Sequence, residues 1–277
     1  MAITSFIPTI WSETLLTSLN KQYVGVANCN RDYEGDIREK GAVVKICGVG
    51  NVAVGDYTKN TDMPDPQELD SSLQTLDINQ AKYFNFQIDD VDRAQCSPKL
   101  MSEAMRAAAV ALANEADAYV FSLYGNAETT MGVENADVDN MLELLIKART
   151  ALFNAGVSDM SEAVIEVSPE VAAVILKAKI TLSTDNGEAL EAGCLGSIGG
   201  CRLYVSPNIV KEPVGDMTYH KCIARTKRAV AFAEQLSEID AYRPEKRFAD
   251  AVKGLHLYGA KVVYPAEYIL MDVGMKK

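Results

Sequence analysis

The stretch SPKLMSEAMRAAAVALANEADAYVFSLY, Ser97 to Tyr124, decides the fold. Ser97 followed by Pro98 is an N-cap residue with proline at the first helical position. Beyond Pro98 the stretch has neither glycine nor a second proline. Met101, Met105, Ala108, Leu112, Tyr119 and Leu123 keep steps of three and four, with a gap at Glu115 and Ala116. The spacing predicts one helix over 98–124, about 40 Å long at ~1.5 Å per residue. Eight alanines between Ala104 and Ala118 let another backbone come close. A helix well beyond the average of about 11–12 residues is a spine for the rest of the chain.

Working back from it, Lys82–Ile88 and Leu76–Ile78 read as strands, the former alternating Tyr83, Asn85 and Gln87 with Phe84, Phe86 and Ile88. Thr58 to Asp70 carries Pro64, Pro66, Asp62, Asp65, Glu68 and Asp70 against Lys59, the composition of an exposed loop. Ala42–Cys47 reads as a strand, Gly48–Gly50 as a turn and Val52–Val54 as a second strand. Residues 36–88 thus form long β arms around a loop, and an isolated two-stranded arm is marginal in water, so this one is expected to lean on a partner. Farther back, Trp11, Leu15, Leu16 and Leu19 mark a short amphipathic helix in an N-terminal arm.

Working forward, Asp137 to Asn154 is a second helix that stops at Gly156. The texture then becomes α/β. Ala163–Val167 is a strand, Ser168-Pro169 repeats the cap-plus-proline device ahead of a helix over 171–178, and Gly187–Gly200 is a glycine-rich loop. Cys201–Val205 is another strand, the basic residues Lys221, Arg225, Lys227 and Arg228 precede the apolar run Ala229–Ala233, and 254–265 reads as a strand pair around a glycine.

Composition narrows the function. The chain has 277 residues, 38 acidic against 27 basic, for a net charge of −11. Such a chain repels phosphate backbones, against nucleic-acid binding as its main task. A hydrophobic fraction of 48% with 23% charged residues is that of a folded globular protein. The longest apolar run, Ala107–Ala113, falls far short of the about 20 residues that cross a bilayer. MAITSFIPTIW at the N-terminus has no basic region and carries Pro8, unlike a secretory signal. The expectation is a soluble, intracellular protein whose six cysteines are reduced.

No motif carries chemistry. Gly48-Val-Gly50-Asn-Val-Ala53 matches a dinucleotide fingerprint, yet Gly55-Asp56 makes a turn where a helix is required. Asp89, Asp90 and Asp92 lack the spacing of a calcium loop. Cys194-x6-Cys201 and His220-x-Cys222 lack regular zinc spacing. The two histidines, His220 and His256, have no nucleophile elbow beside them. No catalytic residue, cofactor or metal is expected.

Three stretches, in the order of these elements, resemble the major capsid proteins of tailed bacteriophages, the Hong Kong 97-type coat fold. Glu34–Ile46 resembles the approach to that family's extended loop, Phe84–Gln95 its approach to the spine helix, and Leu257–Pro265 its closing strand. The resemblance implies an α+β fold with an N-terminal arm (1–34), an extended β loop (35–85), a peripheral domain with the spine helix (86–155), an axial domain (156–250) and a return to the peripheral domain (251–277). It implies a non-enzymatic subunit that assembles as pentamers and hexamers into an icosahedral shell around double-stranded DNA. Scaffolding, portal and decoration proteins are the implied partners, with no membrane. The implied location is the virion, with assembly in the host cytoplasm. Implied subunit contacts are Trp11 in the arm, Arg38, Glu39, Lys40, Lys45, Asp56, Lys59 and Asp62 in the loop, Gly193 and Gly196 in the axial loop, and Arg225 and Arg228 in the basic stretch. Some members join subunits by a Lys–Asn isopeptide bond. Lys45 and Lys59 lie in the loop region, but no Asn and catalytic Glu can be matched, so that chemistry is not carried over. The alternatives are an encapsulin-type nanocompartment shell, which shares the fold, and a cytosolic α/β enzyme built on residues 156–260.

Overall fold

The computed structural model describes residues 15, 17–19, 22–33, 43–49, 59, 71–89, 100–177, 194–246 and 248–276. The spine is helix α1, Leu100–Ser122, prolonged by a 3-10 turn at Leu123–Asn126. Its Ser97-Pro98 cap lies outside the described residues. Met105, Ala109, Leu112, Ala113, Ala116, Val120 and Phe121 form its buried line. The expected gap at Ala116 is filled, because the N-terminal arm presses there: Leu15, Leu19, Tyr23, Val26 and Cys29 share one core with this helix. The described part of the arm therefore belongs to the body of the protein, and small side chains on α1 let it approach.

Among the described residues the strands form three sheets. Strands β1 (Val43–Val49) and β2 (Ser71–Asp77) pair antiparallel, Val43 opposite Asp77 and Val49 opposite Ser71. Gly48 is thus strand rather than turn, and the expected partner strand 52–54 lies outside the described residues. Val44, Ile46, Leu76 and Ile78 bury one side of this hairpin against Ala231, Ala233, Leu257 and Val263. A three-stranded antiparallel sheet runs in the order β10 (Val230–Tyr242), β11 (Ala249–Val262), β3 (Gln80–Asp89). β11 is one unbroken strand where a pair around a glycine was expected. Its glycines serve close approach: a Cβ on Gly259 would lie 2.3 Å from the Asp77 carbonyl oxygen, and one on Gly254 would lie 2.4 Å from the Phe84 ring.

The largest sheet contains β4 (Thr129–Val133), β12 (Tyr268–Lys276), β9 (Met217–Thr226), β5 (Ala163–Val167), β7 (Cys201–Val205) and β6 (Cys194–Ile198) in that order, with β8 (Lys211–Val214) on β9. Helix α2 (Val138–Asn154) covers it, started by Asp137, whose carboxylate accepts from the amides of Asp139 and Asn140. It ends before Gly156 at φ +90. Helix α3 (Pro169–Lys177) packs beside it. Met141, Leu145, Leu152, Ile165, Ile175, Leu203 and Met271 belong to this second core.

Sheet membership cuts across the boundaries drawn from sequence. β10, expected in the axial span, pairs with β11 next to the spine. β12, expected in the return to the peripheral domain, lies inside the seven-stranded sheet. A short 3-10 turn, Lys227–Ala229, carries the chain from one sheet to the other.

Candidate functional site: the arm junction

The arm, the spine and the large sheet meet at one buried cluster. Arg225 on β9 is 0% exposed. It donates to Glu166 of β5 through Nε at 2.8 Å and Nη2 at 2.9 Å. It also donates to the arm, to the carbonyls of Asn28 and Gly25, both at 2.8 Å, and to Cys29 Sγ at 3.4 Å. Asn28 closes the ring by donating to Glu166 at 3.2 Å. The spine contributes Asp117, whose carboxylate accepts from the amides of Val24 and Val26, both at 2.9 Å. Burial raises Asp117 to about 6 against the pull of those amide donors, and raises the Cys29 thiol to about 11. A second cluster fixes the next turn of arm. Tyr23 and Arg31 donate to Glu234 of β10, which His256 of β11 also contacts at 2.8 Å. Asn30 then bridges to Ala231 in parallel.

Arg225 was expected at a subunit contact, and its burial corrects that: its five donors are spent inside the chain. Glu166 as the one charge in the apolar strand AVIEV was the available signal for this pair, while Arg225 shares its strand with His220 and Lys221 and did not stand out. Arg228 is half-exposed and forms an ion pair with Glu267 of the same chain, which also accepts from Thr226 at 2.5 Å. Lys45 and Lys59 are exposed. Gly196 is not in a loop but buried in β6, at φ +130 where the register with β7 shifts. Trp11, Arg38, Glu39, Lys40, Asp56, Asp62 and Gly193 lie outside the described residues. No described interaction brings the remaining expected contacts into one place.

One constellation resembles a hydrolytic relay. Ser168 Oγ lies 2.8 Å from His220 Nδ1, and Glu170 lies 3.7 Å from the same nitrogen. A relay needs serine and acid on opposite ring nitrogens. Here both crowd Nδ1, Ser168 is 0% exposed at the start of α3, and burial lowers the His220 pKa. The group anchors α3 to β9. Cys29, Cys201 and Cys222 are free and buried. Among the described residues no group of three or more His, Cys, Asp or Glu could hold a metal ion. No described helix is long and apolar enough to cross a membrane.

No protein-family model matches the sequence, and no curated protein matches it. Solved structures do. The chain is similar to one from Mycobacterium phage Che8 at 29% identity and a TM-score of 0.69, covering 90% of this chain and 91% of that one. It is similar to the capsid of Ralstonia phage GP4 at 12% identity and a TM-score of 0.67, over 93% and 90%. It is also similar to a virus-like particle from Pyrococcus furiosus at 13% identity and a TM-score of 0.58, over 94% and 96%.

Proposed function

We propose, from the premise that this chain has the Hong Kong 97-like coat fold of tailed-phage capsid proteins and is a structural, capsid-forming subunit, that it is the major capsid protein of a tailed phage. It assembles as pentamers and hexamers into an icosahedral head that encloses double-stranded DNA without reading its sequence. The carrying observation is the likeness to a phage structure that runs through nine tenths of both chains. Supporting it, the β1–β2 hairpin buries Val44, Ile46 and Leu76 on the body but leaves Val43 53% exposed, as suits an arm completed by a neighbour. The charge of −11 suits a wall that must not grip its contents. Such a head is made in the host cytoplasm, with portal, scaffolding and decoration proteins as its further partners.

A second reading is favoured by the Pyrococcus particle: a nanocompartment shell that encloses protein. One preparation separates the two. The chain expressed alone should elute as large particles on size exclusion, and mass spectrometry of those particles should find no stoichiometric host enzyme. A stoichiometric enzyme cargo would favour the nanocompartment. Small species alone, at every salt concentration and with scaffold present, would refute both.

A further inference from the structure

Helix α2 carries two apolar faces, and only one of them is used. Met141, Leu144, Leu145, Ala148 and Leu152 are buried against the large sheet. Val138, Leu142, Ile146 and Phe153 are 38%, 38%, 55% and 42% exposed. At about 100° per residue these four fall within about 80° of arc, a single stripe along the helix. Isolated exposed apolar residues are ordinary on a protein surface, whereas four in line along one helix form an apolar patch of the kind that interaction sites use.

The stripe has one charge in its arc, Arg149, whose guanidinium lies 4.7 Å from the Phe153 ring centroid. Its Nε donates to the Gly199 carbonyl at 2.7 Å. Gly199, at φ +57, admits this contact because a Cβ there would lie 2.8 Å from Arg149 Cδ. The turn between β6 and β7 is thereby pinned against α2, and the patch runs from the helix onto the edge of the sheet.

We infer that this stripe and the Gly199–Gly200 turn are the surface on which a second copy of the chain docks. The inference rests on the shell reading above and names the site of one contact within it. A copy is the occupant because the solved structures like this chain include capsids and a virus-like particle, in which copies must meet. The charge agrees: the patch offers a cation and apolar groups with no carboxylate in its arc, and a chain with 38 acidic against 27 basic residues supplies the opposite sign. A head-to-tail contact of this kind joins two different patches and closes by rotation into a ring.

The test is the full chain with Ile146→Asp, and separately with a photo-crosslinking phenylalanine at position 146. Circular dichroism should be unchanged, since Ile146 is 55% exposed. Particle yield on size exclusion should drop at least tenfold for Ile146→Asp, and irradiation of the variant with the photo-crosslinking phenylalanine should join one copy to another. Wild-type yield from Ile146→Asp, with no copy-to-copy cross-link, would overturn the inference while leaving the shell reading intact. Cross-linking to a host protein in place of a copy would overturn it as well. If wild type forms no particles, the shell reading fails, and the cross-link in whatever species forms still decides this contact. If Ile146→Asp does not fold, the cross-link alone decides it.

Discussion

Removing Arg225 would strand Glu166 and two arm carbonyls in a site closed to water. Losing one partner of a buried ion pair costs about 3–5 kcal/mol, because the other charge stays buried and uncompensated. Arg225→Met should therefore lower unfolding free energy by about that amount in a urea titration, and adding Glu166→Gln should restore part of it. An Arg225→Met chain as stable as wild type would mean the pair does not tie the arm down. Asp117 gives the same junction a pH dependence. Its carboxyl is buried with the arm docked and raised to about 6, above the ordinary value. The group thus favours the docked state fully below its ordinary pKa and loses that contribution as pH rises through 6. Facing it are Tyr23 and Cys29 of the arm and Glu166 of the sheet, the last paired with Arg225. Burial pushes Glu234 up, but its contacts with His256, Tyr23 and Arg31 outweigh that and hold it low, so acid well below pH 5 weakens the arm by a second route. Amide exchange of residues 23–27, corrected for intrinsic rate, should show opening rising about tenfold from pH 5 to 8, since only the last unit below the docked pKa of about 6 falls in that window. Asp117→Asn should flatten the profile, and an unchanged profile in that variant would remove Asp117 from the account.

The elements that could be read from sequence were those whose signals are local. The cap at Asp137, the stop at Gly156 and the proline start of α3 lie within a turn of the helices they bound. The two-stranded arm around the 58–70 loop was legible, and Val43 meets Asp77 in it, but its register was not; the pairing of β11 with β3, across 160 or more residues of chain, was not local and was missed. Glycine misled for the same reason. Without its partner in view, a glycine that makes a turn cannot be told from one that admits a neighbour, and Gly48, Gly254 and Gly259 are strand residues. The buried cluster at the arm needed four distant segments at once, so its residues were read separately, as a basic stretch at a subunit contact and as an N-terminal arm with a short amphipathic helix. The loop and arm candidates fall mostly outside the described residues, and of the others Lys45 and Lys59 are exposed. Gly259→Ala tests the new reading of β11. Its Cβ would meet the Asp77 backbone at 2.3 Å, which must shift the hairpin base. The cost should be about 1–3 kcal/mol, as for overpacked sites, measured by urea unfolding with the helical signal of the native state retained. A neutral substitution would mean that the hairpin base is not seated on β11.

On the scale of the molecule, one short turn at Lys227–Ala229 passes the chain between a spine-side sheet and the large sheet, and the arm is tied to both. β12 then returns to the large sheet, so neither half is a separate stretch of sequence. A subunit built this way holds its two sheets in register with its arm, which suits repeated placement in a curved lattice. The central claim is that copies of this chain close into a shell. Electron microscopy of the full chain expressed alone tests it most directly. The account predicts closed particles with pentamers and hexamers in the reconstruction; monomers, dimers or open sheets under all salts, with scaffold supplied, would contradict it.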